Sequence, residues 1–144
     1  MNKEDAEKLA QTMSESCLAV RVRLLSRVVT ALYDGELRAL GLKANQCTML
    51  VCLARLGQAD QTKIGRALKM ERSTVCRGVE RLMARGFVES SATDSRLLNL
   101  TQAGREMLGQ VHVRWLRAQR KAHRMLGETG TAQLMALALR ARSV

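Results

Sequence analysis

Arg72, Ser73, Thr74, Cys76 and Arg77 put two guanidinium groups, two hydroxyls and a thiol within two turns of any helix that carries them. Those groups read nucleic acid. Arginine pairs bidentately with the guanine edge in the major groove, and short hydroxyls reach bases or phosphates. Arg81 and Arg85 follow at a spacing that suits backbone phosphate or solvent. Lys63, Arg66 and Lys69 precede them and, with Arg85, suit phosphate contacts, which position a protein without specifying sequence. No comparable set supports catalysis. The chain has no glycine-rich phosphate loop, and no Ser or Cys has a His and a carboxylate at a recognisable spacing. An enzyme is not expected.

The elements that must hold these groups are legible around them. Thr62–Leu68 reads as a short helix and Glu71–Arg85 as a second. Phe87–Ser90 and Leu97–Leu100 read as the arms of a β-hairpin. Two helices across a short turn make a helix-turn-helix, and the hairpin is its wing. Val75, Val79 and Leu82 recur at helical spacing and should face the core. That leaves Arg72, Ser73, Cys76, Arg77 and Glu80 on the opposite face. Met70 should pack inward, and Ser73 or Glu71 can cap the first turn. A basic helix alone is more often a solvated surface than a DNA reader. The short helix before it and the hairpin after it reverse that balance.

The flanking segments are helical in pattern. Residues 1–16 read as a partly ordered lead-in. From about Ser16 to Leu40 one long helix carries Leu18, Val22, Leu25, Val29 and Leu32 in a heptad-like stripe, with Leu24 and Val28 beside it. Two stripes need cover on two sides, and a second subunit is the expected source. Gly41 ends that helix. Asn45–Leu56 is the next, with Met49, Leu50, Leu53 and Leu56 inward. Gln102–Leu126 is a long helix, Gly127–Gly130 a break, and Thr131–Arg142 a final short helix.

Composition agrees. The 144 residues bound a single domain. Aromatic residues are only 2% and proline is absent, so the core must be aliphatic and the helices can run uninterrupted. Net charge is +11, which suggests a polyanionic partner. No run is apolar enough to span a bilayer, the N-terminus is unlike a secretory signal, and a cytoplasmic location is expected. Cys17, Cys47, Cys52 and Cys76 are then reduced thiols and do not fit a zinc pattern. His112 and His123 are too far apart on one helix to share a metal. Neither metal nor cofactor is expected.

On these residues the chain resembles the MarR family, the multiple-antibiotic-resistance type of winged-helix regulator. The resemblance rests on Tyr33-Asp34, Gly41-Leu42, Gln46, Met70-Glu-Arg-Ser-Thr-Val-Cys-Arg77, Arg81-Leu82, Arg85-Gly86-Phe-Val88, Asp94-Ser-Arg96 and Leu100-Thr-Gln-Ala-Gly104. These cover roughly residues 17 to 127. It implies a mainly α fold with a β-hairpin wing: one domain over 1–144, a helical dimerisation region from 1–42 and 102–144, and a winged helix-turn-helix lobe over 44–101. It further implies a homodimeric repressor that binds an inverted-repeat operator in double-stranded DNA and is released by a small aromatic or phenolic acid. Arg72, Ser73, Thr74, Cys76 and Arg77 would then contact DNA. Arg96 would enter the minor groove, held by Asp94. Cys76 stands where the family commonly has threonine, the wing looks about two residues short, and Gly65 replaces a usual alanine.

An effector pocket would lie between the dimer base and the winged lobe, with Arg21, Met49 and Trp115 as wall residues and the arginine suited to a carboxylate. Two alternatives stand beside this reading. One is a thiol-based redox regulator acting through Cys17 or Cys76. The other is a winged helix used as a protein-interaction module without operator binding. Arg114, Arg117, Lys121 and Arg124 line one face of the long C-terminal helix. They are expected to be a solvated rim or to meet acidic residues from the partner's first sixteen residues.

Overall fold

With no proline to interrupt them, the apolar-periodic segments run as helices in the computed structural model, which describes residues 1–141. Helix α1 spans Lys3–Ser16 and α2 Leu18–Leu37, followed by a 3-10 turn at Arg38–Leu40. Helices α3 (Ala44–Leu56), α4 (Gln61–Leu68) and α5 (Arg72–Ala84) lead into strands β1 (Val88–Ser90) and β2 (Leu98–Leu100), and α6 (Gln102–Ala141) is the last element of the described residues. The fold is mainly α with a β-hairpin wing, the class read from the sequence.

Most helix ends differ from expectation by one to three residues, and three further differences stand beside them. The first sixteen residues are not a loose lead-in but helix α1, capped by Asn2 Oδ1 accepting from the Asp5 amide at 2.9 Å. Lys3–Glu7 and Glu4–Lys8 pairs one turn apart reinforce it. None of its residues is buried. Second, the expected break after Leu126 is a kink rather than a loop. Gly127 alone leaves helical space (φ 70°, ψ 173°), a conformation that favours glycine, and helix resumes at once. Arg142, the expected end of the final helix, lies outside the described residues. Third, the hairpin arms begin one residue later than expected, in the antiparallel register Val88↔Leu100, Glu89↔Asn99 and Ser90↔Leu98.

The core lies where α3, α4, α5 and the inner side of the wing meet. Met49, Leu50, Leu53, Ile64, Val75 and Val79 are fully buried there. Helix α2 crosses to α6, joined by Tyr33 Oη donating to Gln119 Oε1 and by Lys121 Nζ to Glu36 Oε1 at 2.6 Å. Lys121 therefore meets an acid of its own chain, where a solvated rim or acids from a partner's first sixteen residues had been expected. Asp34 ties α2 to α3. It accepts from the Ala44 amide at 2.7 Å and faces Lys43 at 3.5 Å. No helix among the described residues is long and apolar enough to cross a membrane.

The wing meets α6 at Gly104, where a Cβ would lie 2.1 Å from the Phe87 carbonyl oxygen. Thr101 fixes the same junction, donating to the Gly86 carbonyl at 2.6 Å and accepting from the Gly104 amide at 3.0 Å. Gly104→Ala should cost about 1–3 kcal/mol of stability, the usual penalty for overpacking. Gly109→Ala, with open space around its Cβ, should gain up to about 1 kcal/mol. Thermal unfolding of the two variants checks the contrast.

Candidate nucleic-acid interface

Helix α5 is seated by its inner face. Val75, Val79 and Leu82 are completely buried, and Met49 of α3 lies directly under Gly78, whose missing side chain leaves the room. The seat fixes the outer face. Arg72, Ser73, Arg77, Glu80 and Arg81 are exposed together, while Thr74 and Cys76 are half-buried at its margin. Helix α4 precedes it, with Ile64 inward, Lys63, Arg66 and Lys69 exposed, and Asp60 Oδ1 capping the Lys63 amide at 2.7 Å. Lys69 makes the turn between the two helices in the left-handed region (φ 52°, ψ 42°).

Two expectations at α5 fail. Neither Glu71 nor Ser73 caps its first turn. Glu71 holds the N-cap position without a side-chain bond, and its extra methylene makes it a poorer cap than aspartate or serine. Arg85 is not free for phosphate. Its Nη1 donates to the Gly41 carbonyl at 2.8 Å and its Nη2 to the Leu40 carbonyl at 3.0 Å, and its guanidinium stacks over Phe87 at 4.7 Å. Those carbonyls end the helical turn after α2, so Arg85 joins α5 to that turn.

At the wing, Asp94 Oδ1 accepts from the Arg96 amide at 2.9 Å and from its Nε at 3.1 Å, and Oδ2 accepts from Nη2 at 2.9 Å. These bonds hold the Asp94 carboxyl below its ordinary range and raise the Arg96 guanidinium above its own. Arg96 thus stands on the hairpin tip, charged, highly exposed and with its stem fixed.

Cys76 donates its thiol proton to Glu80 Oε1 at 3.2 Å. That hydrogen bond, followed by burial, pushes its pKa up, and Arg72 and Arg77 only partly oppose the shift. Cys17 is half-buried, and Cys47 and Cys52 are buried. Burial pushes the Cys47 thiol up to about 11. No group of metal-ligating side chains is assembled among the described residues.

The expected effector wall is only partly assembled. Trp115 borders a cavity of about 300 Å³ between α2, α3 and α6. Met49 does not, because α3 turns it toward α5. Arg21 does not either. It lies in the first turn of α2, exposed, with Nη2 donating to the Glu15 carbonyl at 2.8 Å. The sequence reading passed over Thr30, Tyr33 and Thr48, which do line the cavity. Thr48 is one residue from Met49: the inward phase read for α3 is right, and Met49 faces α5 while Thr48 faces the cavity.

A helix seated on a helical core with its basic face open, followed by a hairpin with a fixed arginine, defines a winged-helix fold. The model of the MarR family matches residues 40–97. A MarR mutant from E. coli in complex with operator DNA is similar in structure, with TM-score 0.76 at 19% identity over 90% of this chain and 96% of that one. A "probable transcriptional regulator" from Pseudomonas aeruginosa gives TM-score 0.77 at 27% identity over 88% and 98%. The PcaV regulator from Streptomyces coelicolor, in complex with its natural ligand, gives 0.74 at 23% over 91% and 95%. No curated protein matches the chain in sequence. Residues 40–97 thus resemble the MarR family, and the fold of the described residues is that of its solved members.

The Cys76–Glu80 bond has a measurable chemical consequence. Glu80→Gln should lower the thiol pKa and speed alkylation of Cys76 by roughly two- to five-fold at mildly alkaline pH. Cys47 and Cys52 of the folded protein should stay unmodified on the same timescale. Mass spectrometry of iodoacetamide-treated protein reads both.

Proposed function

We propose that this protein is a homodimeric repressor that occupies an inverted-repeat operator and leaves it when a small molecule binds. The observation that carries the reading is the joint presentation of Arg72, Ser73 and Arg77 on the open face of α5 beside the fixed wing arginine Arg96. Arg72 and Arg77 read base edges. Ser73, Thr74 and Cys76 contact bases or backbone, and Lys63, Arg66, Lys69 and Arg81 meet phosphate. Arg96 enters the adjacent minor groove, where a narrow groove concentrates negative potential, and Asp94 aims it. The operator complex reported for the E. coli relative supports this assignment by similarity.

Residues 1–42 and 102–144 form the dimerisation region in this reading, and 44–101 the DNA-binding lobe. Support comes from apolar side chains left open on the flanking helices. Leu18, Val22, Leu24 and Val28 of α2 and Met135 and Leu139 of α6 are each 40% or more exposed. Cover by a second subunit would bury these side chains. The natural-ligand complex of PcaV supports an effector. A thiol trigger at Cys76 has less support, because a raised pKa slows oxidation.

Binding-site selection from random duplex DNA at about 150 mM salt tests the reading. Enrichment of an inverted repeat with half-sites roughly one helical turn apart is expected. Unenriched DNA would overturn operator recognition. Arg77→Ala should relax base preference at one position of each half-site, a loss of about 1–3 kcal/mol of discrimination. Lys63→Ala should weaken all sequences alike and lower the salt slope by about one unit. Leu24→Glu with Val28→Glu should shift the protein toward monomer in sedimentation velocity.

A further inference from the structure

We infer that Glu80 is a specificity determinant of the open face of α5: its carboxylate accepts from the exocyclic amine of a cytosine in each half-site, on the base pair next to the one that Arg77 reads. The inference rests on the operator-binding reading above and deepens it.

Glu80 is the one acid within α5, exposed beside Arg72, Arg77 and Arg81. Its direction is set by the buried side of the helix. Val75, Gly78, Val79 and Leu82 form the seat, and the direction opposite them is the middle of the open face. At about 100° per residue, Ser73, Arg77 and Glu80 all fall within about 30° of that middle. Thr74 and Cys76 fall roughly 70–90° away from it, which agrees with their half-burial. A helix laid in the major groove turns its middle to the base edges and its margins to the phosphate walls. Glu80 therefore faces bases, some of which donate, and is kept from phosphates, which would repel it.

The carboxylate is also available. Glu80 forms no ion pair among the described residues, although Arg77 and Arg81 neighbour it in sequence. Cys76 Sγ donates to its Oε1 at 3.2 Å, which leaves Oε2 open. An ionised carboxylate can only accept. In the major groove cytosine presents its N4 amine, whereas thymine presents the O4 acceptor and guanine the N7 and O6 acceptors. Adenine sets its N6 donor beside the N7 acceptor, so cytosine is the base that suits a carboxylate best. Arg77 and Glu80 are about 4.5 Å apart along the helix axis. That is close to the rise of one base pair, roughly 3.4 Å, so the two side chains address neighbouring pairs.

The test is binding-site selection run in parallel on the full-length protein and on its Glu80→Gln and Glu80→Ala variants. Glu80 is exposed, so neither substitution disturbs the seat of α5. The unmodified protein should enrich a cytosine at one position of each half-site, and a duplex with thymine there should bind about five- to twentyfold more weakly. Glu80→Gln should move the preference at that position to adenine, whose N6 and N7 pair with an amide. Glu80→Ala should flatten that position and leave the others as they were. The same sequence preference in all three proteins, with the variants merely tighter on every duplex, overturns the proposal. Glu80 is then a solvated acid that lowers affinity for all DNA, and the operator reading stands. If the unmodified protein enriches no sequence, the operator reading itself fails and the base assigned to Glu80 falls with it.

Discussion

The outer face of α5 can present only what its inner face allows, and the inner face is locked onto α3. Val75, Val79 and Leu82 are wholly buried, each worth about 1.5–3 kcal/mol against exposure. Met49 under Gly78 adds a steric stop. A Cβ at that glycine would come within 2.4 Å of the Met49 sulfur, so the two helices approach more closely than side chains normally permit. A helix turns about 100° per residue, so a slip of one position would carry Arg72 and Arg77 off the open face. The position of every exposed group on α5 therefore descends from an apolar contact that none of them makes.

Helix α3 also serves the other side of the molecule. Met49, Leu50 and Leu53 lie in the core with α5, while Cys47, Thr48 and Val51 line the cavity toward α2 and α6. Residues 33, 34 and 36 of α2 reach in turn to Gln119, Ala44 and Lys121, which binds the cavity walls to both neighbouring helices. The reading helix and the cavity thus share one wall element. A ligand shifts such a structure only by the difference in its affinity for two arrangements, and α3 is the element both sites touch.

Much of this was legible in the chain because apolar periodicity reports burial directly. The spacing of Val75, Val79 and Leu82 gave the phase of α5, and Gly127 marked the kink. What stayed hidden depends on partners distant in sequence. Arg85 reads as one more surface cation beside Arg81, and only the fold brings the Leu40 and Gly41 carbonyls to it. Helix α1 looked loose because its apolar residues are few, whereas its cap and its charge pairs act locally. Met49 and Thr48 are adjacent, and an aliphatic helix with two apolar faces does not say which of them meets the cavity. Arg21 was placed by analogy with an acidic ligand, a placement that no feature of its own neighbourhood in the sequence supported.

The wing is hinged less freely than a two-stranded hairpin suggests. Ala59, in the loop before α4, exchanges both backbone hydrogen bonds with Leu98, at 3.3 and 3.0 Å, and so acts as a one-residue third strand. Beyond it the tip closes on itself, with the Ser91 amide donating to the Leu97 carbonyl at 2.7 Å. Chain length can therefore vary between these two residues across evolutionary time without disturbing the reading helix. One residue inserted between Leu56 and Asp60 would displace the wing and the start of α4 together. Relatives that diverge in reach should have gained or lost residues at the tip and kept the length of the loop that holds its base.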